Sequence, residues 1–175
     1  WLGVASPEAA IQLLNSAQCA FDARLTAFEL ICPVSLGLVQ RHIAGAVQVP
    51  PAPWHVLCEF SGSGADEDLQ ARVEAFLEAE FESGRIVAGL LAQSEAQRQA
   101  FWSLRENISE AQKREGLSIK HDIAIPISQI AEFLQNVNPL LEKSFPGVRS
   151  VAFGHLGDGN LHFNLTKPQG MEDAA

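Results

Sequence analysis

The fold class of this chain is indicated by the sequence Val148-Arg-Ser-Val-Ala-Phe-Gly-His-Leu-Gly-Asp-Gly-Asn-Leu-His-Phe-Asn-Leu-Thr166. Two apolar runs, 148–156 and 161–166, flank Gly157-Asp158-Gly159-Asn160. Asp-Gly between apolar strands predicts a type I′ hairpin, because both central residues of that turn need positive φ. A two-residue hairpin joins antiparallel strands, so this ending favours an antiparallel or mixed sheet over a doubly wound parallel one.

The hairpin also carries two histidines. If Asp158 and Gly159 form a two-residue loop, His155 lies opposite His162, with Cβ atoms about 4.5–5.5 Å apart. Two imidazoles placed in this way could bind one metal ion. A plain hairpin with two solvent-facing histidines fits the same pattern, since two histidines without a third ligand are a weak metal signal. Three glycines lie within 154–159 and would let the backbone approach a ligand closely.

Strands and helices alternate through the rest of the chain. Apolar periodicity and capping residues predict helices over 7–23, 34–43, 66–82, 94–114 and 128–143, and further strands over 25–31, 54–60, 86–91 and 117–125. Strand-helix-strand units occur twice, around 25–60 and 117–156. We therefore predict an α+β fold: a duplicated ferredoxin-like arrangement, with an antiparallel or mixed sheet and helices packed on one face.

Composition narrows the class of protein. The 175 residues are 47% hydrophobic and 19% charged, which is typical of a folded protein. The net charge of −9 and the lack of a basic face exclude a nucleic-acid binder. No apolar run reaches the roughly 20 residues of a membrane-spanning helix. Cys19, Cys32 and Cys58 lack Cys-x-x-Cys spacing and have apolar neighbours, so we expect buried free thiols and a cytoplasmic location.

A second group of polar residues lies upstream of the hairpin. Arg105 and Ser109 are four residues apart on a predicted helix and share its face with Phe101, Leu104 and Ile108. Arg105 could clamp a carboxylate through two hydrogen bonds, or could be a surface residue paired with a nearby acid. Lys120 and Asp122 share one face of a predicted strand, where an internal salt bridge and a ligand contact are equally good interpretations.

Three motifs in this chain resemble a known family. Leu-Arg-Glu-Asn-Ile-Ser (104–109), Ile-Lys-His-Asp-Ile-Ala-Ile-Pro (119–126) and Gly-His-Leu-Gly-Asp-Gly-Asn-Leu-His-Phe-Asn (154–164) are similar, in order and spacing, to the C-terminal domain of FAD-linked oxidases of the vanillyl-alcohol-oxidase type. That family includes glycolate oxidase subunits, D-lactate dehydrogenases and D-2-hydroxyglutarate dehydrogenases. The resemblance covers the whole chain, loosely before Phe101 and tightly after it.

The resemblance implies a role for individual residues. His155 and His162 would be the catalytic histidines and two ligands of a divalent metal, zinc or manganese. The substrate-binding residues would be Arg105 and Lys120 on the carboxylate, Ser109 as a hydroxyl donor, and Asn164 at the substrate or metal shell. Ser109 stands where relatives often carry threonine, which keeps the hydroxyl. Ala124 stands where they often carry serine, and alanine cannot make the hydrogen bond that the serine hydroxyl could make.

The resemblance also implies that this chain is part of a longer enzyme. The third metal ligand, a glutamate in a Glu-His-Gly segment, would lie beyond Ala175, and a flavin-binding domain would precede Trp1. No Gly-x-Gly-x-x-Gly string occurs within the sequence. We therefore expect a 1–175 C-terminal domain that meets FAD mainly through another domain and is inactive alone.

The expected reaction is the oxidation of a small 2-hydroxy acid to the 2-oxo acid by hydride transfer to FAD. The metal would act as a Lewis acid on the substrate hydroxyl. D-lactate, glycolate and D-2-hydroxyglutarate all fit, and the sequence leaves the electron acceptor and a homodimer open. The alternative is a non-enzymatic ferredoxin-like module that senses a small acid or a metal.

Overall fold

The computed structural model describes residues 1–62 and 68–168 as an α+β fold with one mainly antiparallel sheet. In chain order the elements are β1 (Leu2–Val4), α1 (Pro7–Phe21), β2 (Leu25–Ile31), α2 (Pro33–His42), β3 (Trp54–Phe60), α3 (Asp68–Glu82), β4 (Ile86–Gly89), α4 (Glu95–Glu106), α5 (Ile108–Glu115), β5 (Ser118–Ile119), β6 (Asp122–Ala124), α6 (Ile127–Ser144), β7 (Arg149–His155) and β8 (Asn160–Thr166). The predicted start of α3, at 66 and 67, lies outside the described residues.

The first half of the chain forms one ferredoxin-like unit. Its elements run β1-α1-β2-β3-α3-β4, and its strands lie in the order β4-β1-β3-β2, all antiparallel. The sequence analysis missed β1, because Leu2–Val4 is too short to show an alternating pattern. This strand lies between β3 and β4 and completes the unit.

The second half repeats part of this unit. β6 pairs with β8 and β8 pairs with β7, so β6-β8-β7 matches the order β1-β3-β2. α6 follows β6 as α1 follows β1. The two units join in one sheet through the antiparallel pair of β2 and β7. The predicted α+β class and duplicated ferredoxin-like arrangement are confirmed for these elements.

Helices cover both faces of the sheet. The prediction that they pack on one face alone is therefore wrong. α1 and α6 pack on the face that carries Leu30, while α2, α4 and α5 pack on the face that carries Ile31. Successive strand residues point to opposite faces, and both of these β2 side chains are buried. The second apolar face needs its own cover. That cover comes from α2, α4 and α5, which do not belong to the ferredoxin-like pattern.

The sequence also led us to expect no membrane-spanning helix and three buried cysteines. Among the described residues, no helix is both long and apolar enough to cross a membrane. Cys32 is buried as expected, Cys58 is half-buried, and Cys19 is exposed on α1. The expected burial of Cys19 is wrong, because this residue lies on the outer side of its helix. All three are free thiols.

Candidate functional site

The hairpin between β7 and β8 does not have the predicted register. Phe153 pairs with His162, and Val151 pairs with Asn164. Instead of a two-residue turn, Leu156–Asp158 forms one turn of 3-10 helix that ends at Gly159, with φ 66° and ψ 18°. Leu156 is 1% exposed, so its burial draws the loop into the core. The predicted cross-strand pair of His155 with His162 is therefore wrong.

His155 faces a buried carboxylate on the neighbouring strand. It pairs in register with Glu29 of β2, and its Nδ1 is in ion-pair contact with Glu29 Oε1. Arg105 Nε donates to the other carboxylate oxygen, Oε2, at 2.7 Å. Glu29 is 1% exposed, whereas the His155 side chain is 55% exposed. One buried carboxylate therefore holds a histidine at the surface and an arginine from α4.

His162 has a similar partner on its other side. It pairs with Asp122 of β6, and its Nδ1 contacts Asp122 Oδ1. Its ring also packs on Phe153, with ring centroids 4.8 Å apart and a tilt of 36°. The Arg105 guanidinium lies 4.8 Å from the centroid of the same Phe153 ring. The structure thus brings Arg105, His155 and His162 together on one face of the sheet.

Each histidine has a carboxylate beside its Nδ1, which is also common among metal-binding histidines in proteins. A metal-binding imidazole usually donates its second ring N–H to a carboxylate or carbonyl, which fixes the tautomer. His155 and His162 each use Nδ1 for a carboxylate, so each has Nε2 left for a ligand. Within the described ranges, no cluster of three His, Cys, Asp or Glu side chains could hold a metal ion. These residues therefore fit two ligands of a site, not a complete one.

Asn164 has both of its polar groups engaged inside the protein. Its Oδ1 accepts a hydrogen bond from the His121 N–H at 3.0 Å, and its Nδ2 donates to Gln112 Oε1 at 3.0 Å. Asn164 is 4% exposed and Gln112 is 1% exposed. The His121 carbonyl still accepts from the Phe163 N–H of β8 at 2.8 Å, but the His121 N–H goes to the Asn164 amide and not to the β8 backbone. The predicted strand over 117–125 is therefore split into β5 and β6.

Lys120 and Ser109 are exposed and lie outside this hydrogen-bonded cluster. Lys120 lies between β5 and β6, and the register that both strands share places it opposite Asn164. Ser109 lies in the first turn of a new helix, because Asn107, with φ −82° and ψ 2°, separates α5 from α4. The single helix predicted over 94–114 is therefore interrupted. In the described part of the chain, neither side chain makes a hydrogen bond or ion pair.

Sequence reasoning missed Glu29, the acid that links Arg105 to His155. A detectable signal was present, because Glu29 is the one charged residue in the strand Leu-Thr-Ala-Phe-Glu-Leu-Ile (25–31). Acids are almost never fully buried unless they are paired. A charge in an apolar strand therefore predicts a buried partner, although it does not say which cation provides it.

This fold is that of a C-terminal domain of flavin-linked oxidases. The family model described as "FAD linked oxidases, C-terminal domain" matches residues 1–175, and the chain belongs to this family. The resemblance drawn from the three sequence motifs is thereby confirmed.

Within this family, the chain is similar in sequence to several curated D-2-hydroxyglutarate dehydrogenases. The chain is 33% identical to the mitochondrial D-2-hydroxyglutarate dehydrogenase of Danio rerio over 90% of the chain and 30% of the relative. It is 38% identical to the Xanthomonas citri D-2-hydroxyglutarate dehydrogenase over 86% of the chain and 31% of the relative. For the Stutzerimonas stutzeri enzyme of the same name, the values are 33%, 98% and 36%. The chain thus spans about a third of these relatives' length.

Proposed function

We propose that this chain is the substrate- and metal-binding part of an FAD-dependent 2-hydroxy-acid dehydrogenase. D-2-hydroxyglutarate is the first candidate substrate, because the relatives carry that name. The observation that carries the proposal is the cluster of Arg105, His155 and His162 on one face of the sheet. The Arg105 guanidinium can bind an anion, and it lies beside two imidazoles whose Nδ1 atoms contact carboxylates. This combination suits a substrate that has a carboxylate and a neighbouring hydroxyl.

Arg105 would bind the substrate carboxylate. Its hydrogen bond to Glu29 uses only Nε, and among the described residues neither Nη1 nor Nη2 has a partner. The planar end of a guanidinium can hold a carboxylate through two parallel hydrogen bonds. The aromatic ring of Phe153 lies against the guanidinium and limits its rotation. Lys120 would add a second positive charge, Ser109 a hydroxyl donor, and Asn164 a fixed amide.

His155 and His162 would hold the divalent metal through Nε2. Neutral imidazole nitrogens suit zinc well, and manganese is the other candidate. When bound, the metal supplies Lewis-acid polarisation of the substrate hydroxyl. The two orienting carboxylates, Glu29 and Asp122, keep each Nδ1 protonated, so that Nε2 has its lone pair available.

This use of both ring nitrogens limits the role of the two histidines in catalysis. A histidine that donates from Nδ1 and binds a metal through Nε2 has no nitrogen left to accept a proton. His155 and His162 would therefore act as ligands, and the proton acceptor for the hydroxyl would be another group.

The flavin, when bound, supplies the acceptor for the hydride from the substrate carbon. The residues of this chain would hold that carbon in position. Position matters because about 1 Å of misplacement can cost roughly a hundredfold in rate. Arg105 is well suited to this task, since Glu29 and Phe153 contact it from two elements of the sheet.

The proposal is tested by turnover with the full protein that carries this chain. D-2-hydroxyglutarate, D-lactate and glycolate are each supplied with a dye acceptor, before and after removal of metal by a chelator. We expect oxidation of one or more of these acids, loss of activity on chelation, and recovery on addition of zinc or manganese. Absence of turnover with all three acids in a flavin-loaded protein would contradict the proposal.

A further inference from the structure

We infer that Glu29 is a positioning residue that fixes the substrate-binding arginine and a metal-binding histidine relative to each other. This inference rests on the proposed function. Glu29 lies near the middle of β2, directly opposite His155 of β7, where the two ferredoxin-like units join. Its carboxylate therefore touches groups from both halves of the chain.

The two oxygens of Glu29 serve two different side chains. Oε2 accepts from Arg105 Nε at 2.7 Å, and Oε1 is in contact with His155 Nδ1. In the described part of the chain Oε1 makes no hydrogen bond, so the ion-pair contact with His155 Nδ1 is the interaction that engages it. Because the carboxylate is rigid and planar, a shift of either partner changes its contact with the other.

Each contact defines the free end of its partner. With Nε engaged, Arg105 keeps Nη1 and Nη2 for a ligand. With Nδ1 beside a carboxylate, His155 keeps Nε2 for a metal. Both consequences depend on the negative charge of Glu29, since a neutral amide at this position presents one acceptor and one donor. The donor end would then meet either an arginine or an imidazole N–H.

Glu80 shows that this division is not a general property of buried acids in the chain. It is 6% exposed on its side chain, and both of its oxygens bind one cation, Arg85 of the adjacent turn. That arrangement is a local ion pair. Glu29 is buried to a similar extent, but it connects two residues from different elements.

Asp122 offers the complementary comparison at the site itself. Among the residues that the structure describes, its carboxylate pairs with His162 and no other side chain, and its own side chain is 74% exposed. Loss of its charge should therefore affect the metal and leave the arginine in place. Loss of the Glu29 charge should affect both.

The experiment measures zinc affinity and steady-state kinetics in the full protein with the variants Glu29→Gln, Asp122→Asn and Glu80→Gln. Zinc affinity is measured by competition with a chromophoric chelator, and KM and kcat are measured with D-2-hydroxyglutarate. Glu29→Gln should lower zinc affinity by about ten- to a hundredfold. It should also raise KM at saturating zinc by about tenfold.

The other two variants serve as matched controls. Asp122→Asn should lower zinc affinity, and its effect on KM at saturating zinc should be clearly smaller than that of Glu29→Gln, because Asp122 does not contact Arg105. Glu80→Gln should lower the melting temperature and leave zinc affinity and KM unchanged. If Glu29→Gln does not fold, Glu29→Asp replaces it, since the shorter side chain keeps the charge but cannot reach both partners. The same double loss is expected.

The outcomes separate this inference from the proposed function. Zinc affinity and KM within twofold of the parent in the Glu29 variant, with zinc binding abolished by His155→Ala, would overturn the inference alone. Zinc binding that survives His155→Ala would overturn the metal site, and with it the proposed function. A change in only one of the two quantities would show that Glu29 does not connect the two residues.

Discussion

At the scale of single residues, Phe153 lies between Arg105 and His162 and contacts both. The ring of His162 packs on it, and the guanidinium of Arg105 lies 4.8 Å from its centroid. The sequence placed these three residues in motifs but not in contact, because the contact depends on strand register and on the docking of α4. The contacts of the two histidines with Glu29 and Asp122 were missed for the same reason. Both acids come from other strands.

Arg105→Lys should impair catalysis nearly as much as Arg105→Ala in the full protein. Lysine keeps the charge but loses both the planar fork and the fixed bond from Nε to Glu29. Steady-state kinetics with D-2-hydroxyglutarate measures the effect, and thermal melts check that each variant is folded. A value of kcat/KM for Arg105→Lys within about threefold of the parent, a difference of about 0.6 kcal/mol, would exclude the clamp role.

Gly154 cannot take a side chain in this fold. Its φ is +156°, and a Cβ at this position would lie 2.5 Å from the carbonyl oxygen of Asn160. The glycines of the hairpin were expected to let the backbone approach a ligand, whereas Gly154 approaches the backbone of β8. Gly154→Ala should destabilise the protein by about 3 kcal/mol. Chemical denaturation followed by circular dichroism measures this.

Gly37→Ala is the matched control for that substitution. Gly37 lies inside α2, and a Cβ there would meet no atom within 4 Å. Alanine should therefore leave the stability unchanged or raise it by about 0.5–1 kcal/mol. Equal losses in the two variants would mean that the close contact at Gly154 is not the cause.

At the scale of elements, the segment from β5 to β6 shows where periodicity fails. An apolar alternation predicted one strand over 117–125, and the register is indeed continuous on both sides of Lys120 and His121. The interruption comes from the amide of Asn164, which replaces a carbonyl as the acceptor for His121 N–H. A side chain distant in sequence cannot be seen in the local pattern, so the strand could be predicted and its break could not.

Asn164→Ala should loosen this segment. The change leaves the His121 N–H and the buried Gln112 Oε1 without their partners, and an unpaired buried group costs about 1–3 kcal/mol. Amide hydrogen exchange should become faster over 118–124, measured by mass spectrometry. Asn138→Ala is the control, since Asn138 accepts a single bond from Ser150 in a less buried place. Unchanged exchange over 118–124 would contradict the anchoring role of Asn164.

At the scale of the whole molecule, the order of elements was readable from the sequence and the joining of the two units was not. Strand-helix-strand repeats predicted around 25–60 and 117–156 indicated a duplicated fold, and the structure confirms the duplication. The first repeat was misplaced, because the segment that matches β6-α6-β7 is β1-α1-β2 and not the one around 25–60. The pairing of β2 with β7 joins segments remote in sequence, and the second layer of helices covers a face that alternation alone left ambiguous. These features follow from burying both faces of one sheet, which is a property of the complete chain.

A second ionic cluster ties α2, α5 and β7 together and should govern acid stability. Glu115 contacts Arg41, His42 and Arg149. Burial raises the pKa of Glu115, but hydrogen bonds from His42 and Arg149 and the charges of the two arginines outweigh it and lower the pKa from 4.5 to about 2. A carboxyl with a lowered folded pKa stabilises the fold above its unfolded pKa. That stabilisation is lost as the pH falls from about 4.5 to about 2.

Glu115→Gln should therefore cost about 1–3 kcal/mol at pH 7 and make the remaining stability less dependent on pH below 4.5. Urea unfolding at several pH values measures both effects. Glu110→Gln, in the same helix, is the control, because Glu110 forms only exposed pairs worth about 0–1 kcal/mol. A Glu115→Gln variant that loses stability in acid as steeply as the parent would refute this account of the cluster.

His155 and His162 of this chain are proposed to hold a divalent metal beside a substrate-binding arginine. Calorimetric titration of the metal-free full protein with zinc tests this claim most directly, in the parent, His162→Ala and His121→Ala. His121 is a neighbouring exposed histidine whose Nδ1 donates to the carbonyl oxygen of Phe163 at 3.1 Å. We expect one zinc per chain in the parent and in His121→Ala, and loss of that binding in His162→Ala. Zinc binding of equal affinity and stoichiometry in all three proteins would contradict the claim.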